Sequence, residues 1–495
     1  MNRIPRTAWV AASVLAIVLI ALGSRYGFHR DELYFIEGGR HFAWAQPDNP
    51  ILIPLVANAW HQAVGGQLWA FRILPALAAA STVLVASLTS RQLGGTRRHQ
   101  AAAAIVTAVT GVIVGTGHLF SITTFDIFLT ALVLMLLARA LRQPQRLGTW
   151  VLVGPAAGVA LEVKLLAGAV LACCVLAVLL VGPRGVFASS GPWIAAGIAA
   201  ALAAPNLIWQ TVNGWPMRDV AANIAGGGST SSADSVLILP MHLLMAGAVT
   251  GSVVVLGMIE LLGAPRFRPW RWIPVAYLLL LTIVIVAGGK PYYMAGMFPI
   301  VVAAGAMPLM DWIDRTAARR RLAPALAVLL SIPTVLFSLP LAPIGSPVFE
   351  IAAAVNPDAK ETVGWDEYVA TVSDAAEDIP DSRRPNTIVL TDNYGEAGAL
   401  DRTRRMGIDG WIPPVYSGHN AYGTWGPPPH DVETVVLVGD FDSAQIHNWF
   451  STCEVVARVE APRDIDNEEN GAAVRVCQAD PGALVGVWPQ VQHFG

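Results

Sequence analysis

Charge is what this chain has least of. Only 14% of its 495 residues are Asp, Glu, Lys or Arg, against 54% hydrophobic. A soluble domain carries roughly 25% charged residues, so the deficit points to a polytopic membrane protein. Lysine is scarcer still. Lys164, Lys290 and Lys360 are the only three, a bias attributable to genome composition that nevertheless makes each worth inspecting. A net charge of -3 says nothing about partners, and nothing suggests nucleic-acid binding. No convincing internal repeat is visible.

What is present in abundance is long apolar runs. A hydrocarbon core needs about 20 apolar residues per helix. By that rule the chain holds eleven runs, at 7–24, 68–90, 101–118, 122–140, 149–163, 165–182, 192–210, 236–262, 270–288, 292–310 and 322–342. The first lacks a clean small-residue cleavage site and is read as a retained helix rather than a signal peptide. Arg3 and Arg6 precede it. Arg91, Arg97 and Arg98 follow the second run, Arg139, Arg142 and Arg146 the fourth, and Arg184 the sixth. Arg266, Arg268 and Arg271 separate the eighth from the ninth; Arg315, Arg319, Arg320 and Arg321 separate the tenth from the eleventh. All fall on one side, which the positive-inside rule makes cytoplasmic. The stretch 25–66, the loop 211–235, the Gly288–Pro291 corner and everything after Pro343 then face outward. This divides the chain into a membrane domain, 1–344, with an outer loop at 24–67, and an extracytoplasmic domain, 345–495.

The last 151 residues are polar enough to fold in water. TIVLT (387–391) and TVVLV (434–438) read as strands, each followed by a helix, near Gly395–Arg404 and Ser443–Phe450. That alternation argues a small α/β domain. Cys453 heads CEVVARVE and Cys477 ends AAVRVC, so two paired strands would make them a disulfide; two buried thiols is the alternative. Cys173 and Cys174 are neighbours in an apolar run and cannot readily bridge.

The stretch that suggests chemistry is Tyr26–His61, YGFHRDELYFIEGGRHFAWAQPDNPILIPLVANAWH. Asp31 to Trp44 alternates at near-helical spacing, so that Leu33, Ile36, Phe42 and Trp44 could form one apolar side; Pro47, Asp48, Asn49 and Pro50 break it, and Ile51–Val64 reads as a second short amphipathic helix. Two such helices in the interface plane would hold polar residues at the membrane surface. Asp31 and Glu32 are adjacent and do not face each other on a helix. One could enter a cavity while the other caps, although acidic residues at a helix start need no function at all.

Asp126, in SITTFDIF, is an ionisable residue inside a span and so a site candidate, unless it is a paired structural aspartate. His118, in the turn before it, is expected to face water. Glu162 and Lys164 flank a junction, where they snorkel or pair. His242 and Glu260 are further intramembrane polar residues without metal-ligand spacing. In GGKPYY, Lys290 with Tyr292 and Tyr293 has the charge and hydroxyl donors to hold a phosphate; a snorkelling lysine in an aromatic belt is the plain alternative. Arg72 opens the second run, and Arg218 in NGWPMRD is a weaker candidate. Acids and cations thus gather on one face, as a lipid-phosphate substrate would require.

HRDELYFIEGGRHFAW, followed by NPILIPLVA, closely resembles the first outer loop of bacterial polyprenyl-phosphate-sugar-dependent glycosyltransferases. These are relatives of the protein O-mannosyltransferases and the lipid A aminoarabinose transferase, with the GT-C fold. ITTFDIF, GGKPYY and NGWP are similar to further segments of that family, and YGEAGAL (394–400) and YSGHNAYGTWGPP (416–428) to members with a C-terminal outer domain. The resemblance implies an α-helical polytopic membrane protein with about 11 transmembrane helices and an outer α/β domain. It also implies an inverting transfer at the outer face of a bacterial inner membrane. Asp31 matches the catalytic aspartate, acting as general base on an acceptor hydroxyl; Glu32 is its motif neighbour, and Asp126 matches a second acidic position. Lys290 with Tyr292 or Tyr293 matches the region contacting the lipid phosphate, Arg72 an arginine that shapes the site, and Lys164 a recurrent lysine of unassigned role. The partners implied are a polyprenyl-phosphate sugar, membrane lipids and a hydroxyl acceptor on protein, lipid or glycan. No cofactor is named and a divalent metal stays open. The competing readings are a transporter or flippase of lipid-linked sugar, and a membrane scaffold whose SGHNAYGTWG loop recognises a partner.

Overall fold

The structure, a computed structural model, describes residues 4–227, 233–408 and 410–495. Arg3 and residues 228–232 of the outer loop lie outside the described residues. The chain forms two compact units. One comprises Met1–Gly23, Trp69–Val212 and Ile224–Leu341; the other comprises Ser24–Leu68, Asn213–Asn223 and Ala342–Gly495.

The first unit is helical. Among the described residues, five helices are long and apolar enough to cross a membrane: Leu68–Gln92, Ile122–Arg142, Ser190–Val212, Pro291–Ile313 and Ala317–Ser338. Two bent pairs, Arg97–Ala108 with Gly111–Gly117 and Ile238–Ala246 with Ala248–Gly263, and four shorter apolar helices, Arg6–Ala21, Leu147–Val163, Leu166–Val181 and Trp272–Val286, occupy the remaining runs. Each of the eleven runs read from sequence is therefore helical. One expectation fails in detail. The run 236–262 is not a single straight helix but turns through 115°. The cause is Gly247, whose φ of 83° is open to glycine and costly for other residues. The other break needs its freed carbonyls satisfied away from water. The Thr110 and Thr250 hydroxyls both donate to the Val106 carbonyl, at 3.1 and 3.2 Å.

The second unit is built on a five-stranded sheet. Its strands are β1 (Thr387–Thr391), β2 (Val415–Ser417), β3 (Thr434–Val438), β4 (Thr452–Arg458) and β5 (Ala473–Gln478), in the order β2-β1-β3-β5-β4. β2, β1 and β3 run parallel, while β5 runs antiparallel to β3 and β4. β1 and β3 are buried throughout, which is why they read as continuous apolar strings rather than alternating ones. On one sheet face Val389, Val436 and Val438 pack with Tyr368, Val372 and Leu400; on the other, Leu390, Val435 and Leu437 pack with Trp449, Leu484 and Trp488. Cys453 and Cys477 stand opposite each other on β4 and β5 and are disulfide-bonded.

The outer loop belongs to this unit: Leu33 shares the first of those cores. Its first helix, Arg30–Gly38, is buried along nearly its whole length and is not a surface helix with one apolar side. The expected apolar row is also cut in two. Leu33 and Ile36 are buried, whereas Phe42 and Trp44 lie beyond the helix end and are exposed. Gly38 and Gly39 propagate a helix poorly. They serve close approaches instead: a Cβ on Gly39 would come within 2.6 Å of the Asn58 Cβ on the Leu52–Ala63 helix, and one on Gly38 within 2.7 Å of the Gln46 side-chain nitrogen.

Candidate active site

In the second unit, the Arg30–Gly38 helix opens with a reciprocal cap. His29 Nδ1 accepts the Asp31 N–H at 3.1 Å, and Glu32 Oε2 accepts the His29 N–H at 2.8 Å. This satisfies donors that a helix start leaves open. It also separates the two acidic neighbours by task. Glu32 is fully buried and turned back on the cap, whereas Asp31, one position round the helix, is half-buried. Asp31 Oδ1 accepts a hydrogen bond from the Tyr394 hydroxyl at 2.9 Å.

Tyr394 begins the Tyr394–Met406 helix, whose start is YGEAGAL. Two of its glycines let it lie against the Arg30–Gly38 helix. A Cβ on Gly395 would come 2.8 Å from the Arg30 Cβ, and one on Gly398 2.9 Å from the Leu33 Cβ. The Tyr394 ring is bounded by Tyr34, at 4.4 Å between centroids, and His419, at 4.6 Å, with the Arg30 guanidinium 5.6 Å above it. Burial pushes His419 down to about 3, so its imidazole is neutral.

Arg30 is the charge centre of this region. It pairs with Glu468 at 2.6 Å, Glu361 at 3.7 Å and Glu469 at 3.9 Å, and His29 approaches Glu361 at 3.5 Å. One guanidinium, shared with the exposed Glu468, does not offset the burial of Glu361 and Glu469. Burial lifts Glu469 to about 7 and raises Glu361 as well. At the far end of the helix Glu37 meets Arg405 at 3.0 Å and Arg40 at 3.3 Å. Burial, then the charge of Asp401, still lift Glu37 to about 7. The segment SGHNAYGTWG packs inside the unit: Ala421 N–H donates to the Tyr34 hydroxyl at 3.1 Å, Tyr422 donates to Asp401 at 3.2 Å, and Trp425 stacks on His41.

In the first unit the candidate residues meet around Lys164. This lysine sits in extended backbone at the break between Leu147–Val163 and Leu166–Val181. Its Nζ lies 4.3 Å from the Tyr293 ring centre and 5.3 Å from that of Tyr292, and it interacts electrostatically with Asp126 and Lys290. Asp126 accepts from the Thr130 hydroxyl at 3.2 Å. The Pro291–Met297 turn carries both tyrosines and presses on that same helix, where a Cβ on Gly296 would come 2.6 Å from the Thr130 Cβ. Asp126, Lys164, Tyr292 and Tyr293 are thus one cluster, with half-buried Lys290 at its edge.

The other candidates serve the bundle. Arg72 is buried and donates to the Gly23 carbonyl at 3.0 Å, tying the start of the second run to the end of the first. His242 bonds the Pro291 carbonyl at 2.8 Å and the Tyr277 hydroxyl at 2.5 Å, so both its nitrogens are used in packing. Glu260 pairs with Arg266 at 3.1 Å. His118 does not face water; it is buried, because the turn carrying it is covered by the bundle. Among the described residues no three His, Cys, Asp or Glu side chains are grouped to hold a metal ion. In the sequence Tyr394 carries no signal of its contact with Asp31 beyond its place at the start of YGEAGAL.

Residues 48–209 match the family model described as dolichyl-phosphate-mannose-protein mannosyltransferase. No curated protein sequence matches. Among solved structures, the fold is similar to ArnT from Cupriavidus metallidurans bound to undecaprenyl phosphate, with 14% identity and a TM-score of 0.60 over 94% of this chain and 97% of that one. The archaeal oligosaccharyltransferase AglB from Archaeoglobus fulgidus follows at 11% identity and a TM-score of 0.49, over 87% of this chain and 69% of that one. The arabinofuranosyltransferase AftD from Mycobacteria is 14% identical with a TM-score of 0.49, over 98% of this chain and 40% of that one. The chain thus shares the GT-C membrane fold with ArnT, and its segment 48–209 matches the mannosyltransferase family model.

Proposed function

We propose that the protein is an inverting glycosyltransferase that moves a sugar from a polyprenyl-phosphate donor to an acceptor hydroxyl at the outer face of a bacterial inner membrane. The observation that carries this reading is the agreement in fold, over nearly the whole of both chains, with ArnT bound to undecaprenyl phosphate. The N-terminus is then cytoplasmic and residues 345–495 are extracytoplasmic, as the arginine distribution requires.

Asp31 is the base. Its carboxylate takes the proton of the acceptor hydroxyl as that oxygen attacks the anomeric carbon. The bond from that carbon to the phosphate oxygen breaks, and its electron pair stays on the lipid phosphate. Lys164, Lys290 and the hydroxyls of Tyr292 and Tyr293 supply the charge and donors to stabilise that leaving group. Asp126 sets the position of Lys164, and Arg72 holds the first two runs together. The exocytoplasmic site needs no nucleotide donor, and the acceptor is a hydroxyl on protein, lipid or glycan.

The test is release of undecaprenyl phosphate from undecaprenyl-phosphate-linked sugar by the purified protein in lipid nanodiscs. Wild type releases it in the presence of membrane-extracted acceptor, and a folded Asp31→Asn variant does not. Full turnover in that variant would remove Asp31 from the mechanism. Movement of intact lipid-linked sugar across vesicles without transfer would identify a flippase instead.

A further inference from the structure

We propose that Tyr394 is a positioning residue for the base, its hydroxyl holding the Asp31 carboxylate turned toward the acceptor. The inference rests on the reading of Asp31 as that base. It assigns a role in transfer to the YGEAGAL helix of the α/β domain, which supplies a group to the loop motif from 363 positions away.

The geometry argues this in three steps. First, the hydrogen bond is directional. A tyrosine hydroxyl donates and a carboxylate oxygen accepts, so the 2.9 Å contact fixes the orientation of the Asp31 carboxylate. It engages Oδ1. Among the described residues Oδ2 accepts no hydrogen bond, and it is the oxygen left to take a proton. Second, the tyrosine is fixed independently of that bond. Its ring is held between Tyr34 and His419 and beneath Arg30, and its helix is seated by Gly395 and Gly398. A donor locked by packing positions its acceptor, as a freely rotating one would not. Third, the helix cap holds the other side. The Asp31 N–H is bonded to His29 and the Glu32 side chain is spent on the His29 N–H. The carboxylate is therefore the only polar group of the Asp31–Glu32 pair left to face a substrate.

The charged and titratable groups around Asp31 are His29 two residues before it, Arg30 immediately before it, Asp48 from the same loop, and Glu361 and Tyr394 from the α/β domain. All but Tyr394 are common to the variants compared below, so a change at the Asp31 carboxyl between them reports the hydroxyl.

The experiment reads Asp31 directly. Full-length protein in nanodiscs is labelled with carboxyl-¹³C aspartate, and the Asp31 resonance is identified by its loss in Asp31→Asn. Tyr394→Phe keeps the ring and its packing; it shifts the Asp31 carboxyl resonance by removing the hydrogen bond to Oδ1. Incorporation of 3-fluorotyrosine at position 394, a stronger donor of the same shape, shifts it the opposite way. Tyr422→Phe removes a buried hydroxyl, one bonded to Asp401, and leaves the resonance in place. In turnover, Tyr394→Phe lowers kcat with KM for undecaprenyl-phosphate-linked sugar unchanged. An Asp31 carboxyl resonance unmoved by both changes at position 394 overturns the inference whatever the turnover. Retained turnover in Asp31→Asn overturns the functional reading instead, while leaving the Tyr394–Asp31 bond to be judged by the resonance alone.

Discussion

The Lys164 ammonium lies 4.3 Å from the centre of the Tyr293 ring, across a helix break rather than along the GGKPYY corner that carries the tyrosine. The cation seated on the tyrosine pair is therefore not Lys290, their neighbour in sequence. A lysine over two aromatic faces is held in place by ring quadrupoles as well as by Asp126.

If that ammonium stabilises the leaving phosphate, Lys164→Met loses a preorganised charge at the point where charge develops. The expected loss in kcat is about 10²-fold, the usual consequence of removing one such donor. Lys290→Met costs less, since its charge stands at the edge of the cluster. Steady-state turnover of undecaprenyl-phosphate-linked sugar by the two variants checks the order.

Glu37 gives a prediction in pH. Its ordinary value of 4.5 is lifted to about 7 in the folded unit, chiefly by burial. The folded state thus binds this proton more tightly than the unfolded chain does. The stabilisation is fully present below about 4.5 and is lost as pH rises through about 7. Glu37→Gln removes the titration but keeps the shape. The thermal midpoint of wild type, measured relative to the variant, falls as pH rises across that window. Glu469 titrates in the same range in both proteins and cancels from the difference.

The Cys453–Cys477 disulfide closes a loop of 24 positions at one side of the sheet. Replacing both by alanine removes that constraint from the unfolded chain and costs about 3 kcal/mol. The expected readout is a lower denaturation midpoint for the tryptophan signal of the core containing Trp449 and Trp488.

Gly398→Val forces a side chain into the Leu33 backbone, where even a Cβ would come 3.0 Å from the carbonyl carbon. Overpacking of this kind costs about 1–3 kcal/mol. The Tyr394–Met406 helix is displaced from the Arg30–Gly38 helix and turnover falls with the thermal midpoint. Gly407→Ala is a control for a glycine without close neighbours at its Cβ, although its φ of 64° adds a modest strain of its own.

Much of the architecture was legible locally. Eleven apolar runs became helices, and TIVLT, TVVLV, CEVVARVE and AAVRVC became the strands β1, β3, β4 and β5. Each is a contiguous pattern of length and polarity, read within one element. β2 escaped notice because three residues carry no such pattern. The bend at Gly247 was hidden because a glycine in an apolar run does not announce its φ. The end of the loop helix is not legible in the sequence because the choice at Gly39 is made by the helix that packs on it.

The candidate site divides along the same line. HRDE placed an acidic pair at a helix start, and the helical cap at His29 accounts for both which acid is buried and which is left open, from residues three apart. Run length, strand pattern and capping chemistry are short-range properties, and the amino-acid order alone determines them. That Tyr394 meets Asp31, that Lys164 meets Tyr293, and that Arg72 and His242 are consumed by packing depend on which surfaces close against each other. Those pairings were decided by tertiary structure, where a missing Cβ on one helix sets how near another can come.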